Sequence, residues 1–213
     1  MADNPAPNPP GTDDVAALGT SGISGAGRLV LEPVADSFSA PSTTFTTPIQ
    51  GLSGLVIGKG GNTAGLNLTG TVNVAGPISV FAGDLNIQTP LSSTATGDVL
   101  LKSSGTLTIA PGQQISASAG DITLVANRFV NQAGSGALAT TGNHLWQLWS
   151  TNADPFDTSI GDVTGGLVAG FKQYNASHGN TTPLGTGHGL FYSLAPVLSL
   201  GLNGAVEIGR AHV

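Results

Sequence analysis

Three aspartates beside glycines have the best spacing for chemistry in this chain. Asp84, Asp98 and Asp121 each follow a glycine and precede a short run of mostly apolar residues. Carboxylates set along one groove could act as general acid and general base on a glycosidic bond. Catalysis would also need a nearby cation or aromatic platform, and only Lys102 and Arg128 are available. We therefore expect the three aspartates to cap turns.

The histidines offer a weaker case for a site. None of the spacings among them matches a metal-binding motif, so surface or turn roles are expected. The chain has four: His144, His178, His188 and His212.

Oxygen-bearing side chains also gather between residues 152 and 162. They are Asn152, Asp154, Asp157 and Asp162. Hard cations such as Ca²⁺ bind clustered oxygens, but the segment lacks the alternating acidic ligands of known Ca²⁺ loops. Turn or helix capping is the prediction here. We predict no catalytic residue, no metal and no cofactor, and therefore no enzyme.

Composition points to an all-β protein. Charged residues make up 8% of the 213 residues, there are 32 glycines, and hydrophobic residues reach 39%. Weak helix formers dominate, which disfavours helices, and the apolar content disfavours disorder. The six Lys and Arg are scattered, so nucleic-acid binding is not expected. No apolar run is long enough for a membrane span, no secretion signal opens the chain, and cysteine is absent.

A five-residue unit recurs between residues 70 and 124. It consists of a glycine, a variable residue and three mostly alternating apolar and polar residues, as expected for a short strand entered through a corner. Glycine can adopt positive φ at such a corner. The spacing of the units is too uneven for an exact repeat but fits strands separated by brief turns. The units are 70–74, 83–87, 97–101, 105–109 and 120–124.

Two folds use many short strands with glycine-rich corners: an antiparallel sandwich and a parallel β-helix. We favour a right-handed parallel β-helix, or β-solenoid, because the apolar positions are aliphatic and sandwiches usually bury large rings between their sheets. Both tryptophans and both tyrosines fall between residues 144 and 192, where an aromatic cap could close the aliphatic core.

These patterns divide the chain into five segments. Residues 1–50 form a linker or irregular segment, residues 51–142 the solenoid repeats, residues 143–196 an aromatic-rich cap or junction, residues 197–206 the start of a truncated module, and residues 207–213 a probable sequencing-adapter artefact.

The repeat region resembles a known family. Residues 76–134, including Gly83-Asp84-Leu85 and Gly120-Asp121-Ile122, look like the repeats of filamentous haemagglutinin-like exoproteins of two-partner secretion. Trp146-Gln147-Leu148-Trp149 and Gly189-Leu190-Phe191-Tyr192 resemble the junction that joins such a solenoid to immunoglobulin-like modules. The secretion domain of that family is absent, with only Asn4-Pro5 and Asn8-Pro9 in place of its motifs.

The resemblance implies a function. It implies a fragment of a secreted, cell-surface bacterial adhesin whose solenoid serves as a rigid stalk. The partners implied for the full-length protein are an outer-membrane transporter and ligands on host or bacterial cells, including glycans. The alternative is a carbohydrate-active β-helix, either a polysaccharide lyase or hydrolase or a tailspike-like glycan binder.

Overall fold

The structure, a computed structural model, describes residues 21–196. Its strands, β1 to β17 in chain order, pair only in parallel. They wind as a β-solenoid with three faces, which confirms the predicted fold class and excludes the antiparallel sandwich. No helix among the described residues is long and apolar enough to cross a membrane. The segments predicted for 197–206 and 207–213 lie outside the described residues.

The first face is a six-stranded sheet, one strand for each coil. It consists of β1 (Ile23–Ser24), β4 (Ile49–Gln50), β7 (Val72–Val74), β10 (Leu91–Ser93), β12 (Ile115–Ala117) and β14 (Leu138–Thr140). Ile23 pairs with Ile49 on the next coil, whereas Val72 reaches its partner Leu91 over a shorter stretch of chain. The coils therefore differ in length while their strands stay aligned.

The second and third faces share the two longest strands. The second face contains β2 (Arg28–Leu31), β5 (Gly54–Ile57), β8 (Ile78–Ala82), β15 (Trp146–Ser150), β16 (Phe171–Tyr174) and β17 (Gly189–Tyr192). The third face contains β3 (Ser42–Phe45), β6 (Gly65–Leu68) and β9 (Leu85–Ile87). β11 (Val99–Ile109) and β13 (Ile122–Asn131) each run along both faces, with an irregularity after Ser103 where the solenoid bends.

Aliphatic columns fill the interior. Leu55, Ile78, Val99 and Ile122 stack on successive coils of the second face and are at most 1% exposed. Parallel strands lie about 4.8 Å apart, so equivalent side chains meet along the axis. Each such side chain contributes about 1.5–3 kcal/mol when it leaves water. Trp146 ends this column.

The solenoid begins before residue 51. Strands β1 to β4 place residues 23–50 in the first coil and at the start of the second. Prolines in this segment lie at corners between strands, a position that proline tolerates. The Pro41 carbonyl accepts the N–H of Gly65, and the Pro48 carbonyl accepts that of Ile23. They therefore join adjacent coils where the sequence pattern indicated irregular chain.

The corner glycines mainly allow the backbones of neighbouring coils to approach closely. Of the five glycines that open the repeat units, only Gly97 has a positive φ, of 153°. The positive-φ interpretation is therefore wrong for the other four. A Cβ on Gly83 would lie 2.1 Å from the carbonyl oxygen of Thr63, and one on Gly120 would lie 2.1 Å from that of Gly97. A side chain there would push neighbouring coils apart.

The far end of the solenoid departs from regular winding. β17 lies between β15 and β16, so the strand that is last in the described sequence is not last in space. Residues 175–188, here called the strap, connect β16 to β17. Ala176 and Phe191 belong to a small apolar cluster on the outer surface of the second face, together with Val125 and Trp149.

Candidate functional site

The three aspartates at the corners each accept a backbone N–H of the next coil. Asp84 Oδ1 lies 2.7 Å from the Thr106 nitrogen, and Asp98 Oδ1 lies 2.8 Å from the Asp121 nitrogen. Asp121 Oδ1 lies 2.9 Å from the Leu145 nitrogen. All three carboxylates therefore bond to backbone amides, but each bond joins two neighbouring coils, whereas the sequence predicted caps on local turns.

A neighbouring glycine makes one of these contacts possible. A Cβ on Gly105 would lie 2.2 Å from Asp84 Oδ1, so any larger residue would block the path to the Thr106 amide. The Gly-Asp corner and the glycine one coil later thus form one structural unit. Its chemistry is hydrogen bonding between coils.

Asp98 and Asp121 occupy equivalent corner positions on adjacent coils. Their following residues, Val99 and Ile122, pair directly. His144 Nδ1 lies 3.2 Å from Asp121 Oδ1, and both side chains are about half exposed. Among the ion pairs of the described residues, the only one with a Lys or Arg joins Lys59 to Asp36. Within residues 21–196, no Lys or Arg therefore forms an ion pair with Asp84, Asp98 or Asp121.

The other two described histidines belong to the aromatic end. His188 stacks on Trp146 with ring centroids 4.8 Å apart, and its Nδ1 accepts the backbone N–H of Trp146 at 3.1 Å. His178 meets Trp149 edge-on at 5.5 Å. Partial burial, followed by the charge of Lys102, lowers the pKa of His178. Within residues 21–196, no three His, Cys, Asp or Glu side chains converge to hold a metal.

Asn152 and Asp157 shape the loop between β15 and β16. Asn152 Oδ1 accepts the Asp154 N–H at 2.9 Å. Asp157 Oδ1 accepts the N–H groups of Ser159 and Ile160 at 2.7 and 2.8 Å. These bonds, together with one from the Ser159 hydroxyl, lower the pKa of Asp157. Both side chains have the turn-capping role that the sequence predicted.

Asp162 points away from that loop and into the solenoid. Its Oδ1 accepts the Phe129 N–H at 2.8 Å, while its buried Oδ2 has no hydrogen-bond partner. Burial raises the pKa of this carboxyl; hydrogen bonding and Arg128 oppose the rise. The arrangement fastens residues 159–164 to the third face, where Val163 bridges to Val130.

Nothing in the sequence distinguished Asp162 from the other aspartates of the loop. Its burial depends on the bridge at Val163, which closes the third face of the last coil. Arg128 holds the same segment against the third face, because its guanidinium donates to the carbonyls of Ser159 and Gly161 at 3.0 Å. These long-range contacts could not be read from local spacing.

An aromatic group closes the end of the solenoid above Asp162. Tyr192 stacks on Tyr174 with ring centroids 5.8 Å apart, and Phe156 lies 4.9 Å from Tyr192. Burial, followed by the charge of Asp162 and the nearby Tyr174, raises the pKa of Tyr192 to about 12. The tyrosine therefore stays neutral and serves as packing for the end.

A cleft of about 390 Å³ lies beside this aromatic group. It is lined by residues 153–157 on one side and residues 194–196 on the other. Its titratable side chains are Asp154 and Asp157, and Asp157 is engaged with turn amides. None of the described residues that line the cleft is a histidine, lysine or arginine.

Comparisons of the chain with protein-family models, with curated proteins and with solved structures found no match. The resemblance to haemagglutinin-like exoproteins thus rests on the residues that carry it. The structure is compatible with its coarser part, a parallel β-solenoid. What the fold establishes is an all-β solenoid of six coils with an aromatic end.

Proposed function

We propose that this chain is part of the rigid stalk of a large secreted bacterial surface adhesin of the haemagglutinin-like class. The observation that carries the proposal is the continuous apolar core: aliphatic columns run from coil to coil, and the column through Ile122 ends at Trp146. Repeat proteins of this kind gain their stability from contacts between neighbouring coils. A filled, quasi-one-dimensional solenoid is suited to holding other modules at a distance.

The outer surfaces of the first and third faces fit a structural role. Asn86 Nδ2 donates to Asn67 Oδ1 at 2.7 Å on the third face, and the hydroxyls of Ser92 and Ser116 lie 2.8 Å apart on the first. These side chains bond to one another along the axis. Such ladders add links between coils and leave little charge at the surface.

The hydrogen bonds of the corner aspartates favour the stalk proposal over the carbohydrate-active alternative. Asp84, Asp98 and Asp121 each cap an amide of the next coil, and the chemistry proposed for them required free carboxylates with a cation in one groove. We therefore propose a non-enzymatic role. In the full-length protein the partners would be an outer-membrane transporter and ligands on host or bacterial surfaces, at the cell surface or outside the cell.

Surface labelling tests the location. An antibody raised against the purified chain should label intact bacteria that produce the full-length protein, and deletion of the gene for the cognate outer-membrane transporter should abolish the signal. Permeabilised cells serve as the control for expression. Labelling that appears only after permeabilisation would contradict the proposal.

A polysaccharide assay tests the alternative. The chain should release no reducing ends from neutral or acidic polysaccharides. Asp98→Asn and Asp121→Asn should change stability only. Release that either variant abolishes at unchanged stability would establish the enzyme and remove the stalk proposal.

A further inference from the structure

His188 lies where the last three strands of the second face meet. Its ring stacks on Trp146 of β15, with ring centroids 4.8 Å apart and planes 11° from parallel. Its backbone carbonyl accepts the Gly170 N–H at 2.8 Å, immediately before β16, and the residue that follows it, Gly189, begins β17. One histidine therefore joins the starts of all three strands.

The imidazole extends the pairing of β15 with β17. The register between these strands begins with Gln147 opposite Gly189, so the Trp146 amide lies one residue before it. His188 Nδ1 accepts that N–H at 3.1 Å. A ring nitrogen that accepts a hydrogen bond must carry a lone pair, so this bond requires the neutral tautomer with its proton on Nε2.

A proton on Nδ1 would break this contact. Both nitrogens of an imidazolium are donors, so the ring would present an N–H to the amide N–H, and rotation of the ring would not restore an acceptor. Trp146 is 3% exposed, so little water is available to replace the lost acceptor. A buried amide without a partner costs free energy, and the paired arrangement therefore depends on a neutral ring.

The stacking contact responds differently to charge. The face of an indole attracts cations, so protonation leaves the stacking of His188 on Trp146 favourable. The hydrogen bond has no such tolerance. The response to acid is therefore expected at the strand amides rather than as expulsion of the ring.

We propose that His188 is a proton-sensitive clamp on the aromatic end of the solenoid. In its neutral form the ring bonds the start of β15 to the start of β17, and its carbonyl holds the start of β16. Protonation of Nδ1 removes the first bond and loosens the three strands at this point, while the preceding coils keep their pairing. The proposal stands apart from the stalk function, because it concerns only how this end responds to acid.

The segments around His188 carry two other imidazoles that could change charge in the same pH range. His144 precedes β15 and lies 3.2 Å from Asp121, and His178 belongs to the strap and meets Trp149. Both therefore serve as controls. The remaining titratable side chains of β15, β16, β17 and the strap are Lys172, Tyr174 and Tyr192.

Amide hydrogen exchange at pH 7.5 and pH 5, corrected for the intrinsic rate at each pH, tests the clamp. Protection of the Trp146 and Gly170 amides should fall by about tenfold at the lower pH, the loss expected when one hydrogen bond to a buried amide is removed. The β11 amides report global folding and should stay protected. Unchanged protection at Trp146 would overturn the proposal.

Substitutions assign the response to one ring. His188→Asn places an uncharged acceptor near the position of Nδ1, so protection of the Trp146 amide should become independent of pH between these values. His144→Gln and His178→Gln should respond as the parent chain does. An equal loss of protection in His188→Asn, or its disappearance in either control, would overturn the proposal.

The tautomer of His188 can be measured in the unaltered chain. The nitrogen chemical shifts of labelled histidine should show the proton on Nε2 at pH 7.5 and on both nitrogens at pH 5. A neutral ring with its proton on Nδ1 would overturn the proposal whatever the variants do, because that nitrogen could not accept the Trp146 N–H.

Discussion

The middle coils and the aromatic end of this solenoid are stabilised in different ways. Across residues 49–131 the interior is mainly aliphatic, with one fully buried ring at Phe129. The coils touch through glycines whose added Cβ would meet the neighbouring backbone. Across residues 144–196 the stabilising contacts are individual side-chain interactions that do not repeat from coil to coil. They are the stacking of His188 on Trp146, the hydrogen bond from the Phe129 amide to Asp162, and the stacking of Tyr192 on Tyr174. Repetition stabilises the middle, and individual side chains stabilise the end.

The comparison shows where substitution is tolerated. A change in the middle alters a contact that continues in both directions along the axis, so its effect reaches both neighbouring coils. A substitution at the aromatic end removes one side-chain contact and leaves the packing of the preceding coils intact. We therefore expect the effects of substitution to decrease from the interior columns to the surface of the aromatic end.

Leu101 and Leu100 test the columns directly. Leu101 is fully buried in the interior, and Leu100 points outward and is partly buried. Leu101→Ala should lower the free energy of unfolding by about 3 kcal/mol, because it removes core contacts and leaves a cavity. Leu100→Ala should lower it by about 1 kcal/mol. Urea denaturation measures both, and equal losses would contradict the division between interior and surface.

Gly120 and Gly136 test the close approach of coils. A Cβ on Gly120 would lie 2.1 Å from the Gly97 oxygen, and one on Gly136 would meet nothing within 4 Å. Gly120→Ala should cost about 2 kcal/mol through overpacking. Gly136→Ala should stay within about 0.5 kcal/mol of the parent. Thermal unfolding compares the pair, and a stable Gly120→Ala variant would mean that the coils separate easily.

Asp162 tests a specific fastening at the end. Burial raises its pKa in the folded state, so ionisation costs stability as the pH rises through that value. Asp162→Asn keeps an oxygen for the Phe129 amide and removes the charge. It should raise the free energy of unfolding by about 1 kcal/mol at pH 7. The gain should disappear below pH 3.8, the ordinary value, where the carboxyl is protonated in both states.

Urea denaturation of the Asp162→Asn variant and the parent chain between pH 3.5 and pH 7 measures this gain. Asp157→Asn is the matched control. Its carboxyl accepts turn amides and has a lowered pKa, so the same substitution there should not stabilise. A stabilised Asp157→Asn variant would show that reduced negative charge, rather than burial, explains the result.

His178 tests how the strap packs on the outer apolar cluster. Its pKa is lowered in the folded state, so the unfolded chain takes up a proton first as the pH falls below 6.5. The free energy of unfolding should therefore fall slightly from pH 7 to pH 5, and His178→Gln should reduce that fall. The NMR titration of the imidazole gives the folded value directly. An ordinary or raised value would place the ring away from Trp149.

The sequence predicted the strands better than their arrangement. The five repeat units fall on β7, β9, β11 and β13, and β11 contains two of them. Their uneven spacing follows from their positions, because they lie on all three faces of the solenoid. A shared local pattern identifies a strand, but it carries no information about which face that strand joins.

The features that escaped prediction depend on distant contacts. The corner carboxylates are an example: an Asx turn is local and was the prediction, but each carboxylate accepts an amide of the next coil, 22 to 24 residues away. The partial burial of Asp162 accompanies the bridge between Val163 and Val130, which joins segments that are far apart along the chain. The first coil escaped notice because prolines at its corners resemble interruptions until the neighbouring coil is present to bond with their carbonyls.

The position of β17 between β15 and β16 governs how the solenoid can come apart. Were β16 stacked directly on β15, the strands would be lost from the tip in reverse chain order. As built, β16 contacts the described sheet through β17. β16 can therefore detach while β17 stays paired with β15, whereas loss of β17 also releases β16, so the tip frays first at a strand that is not the last in sequence.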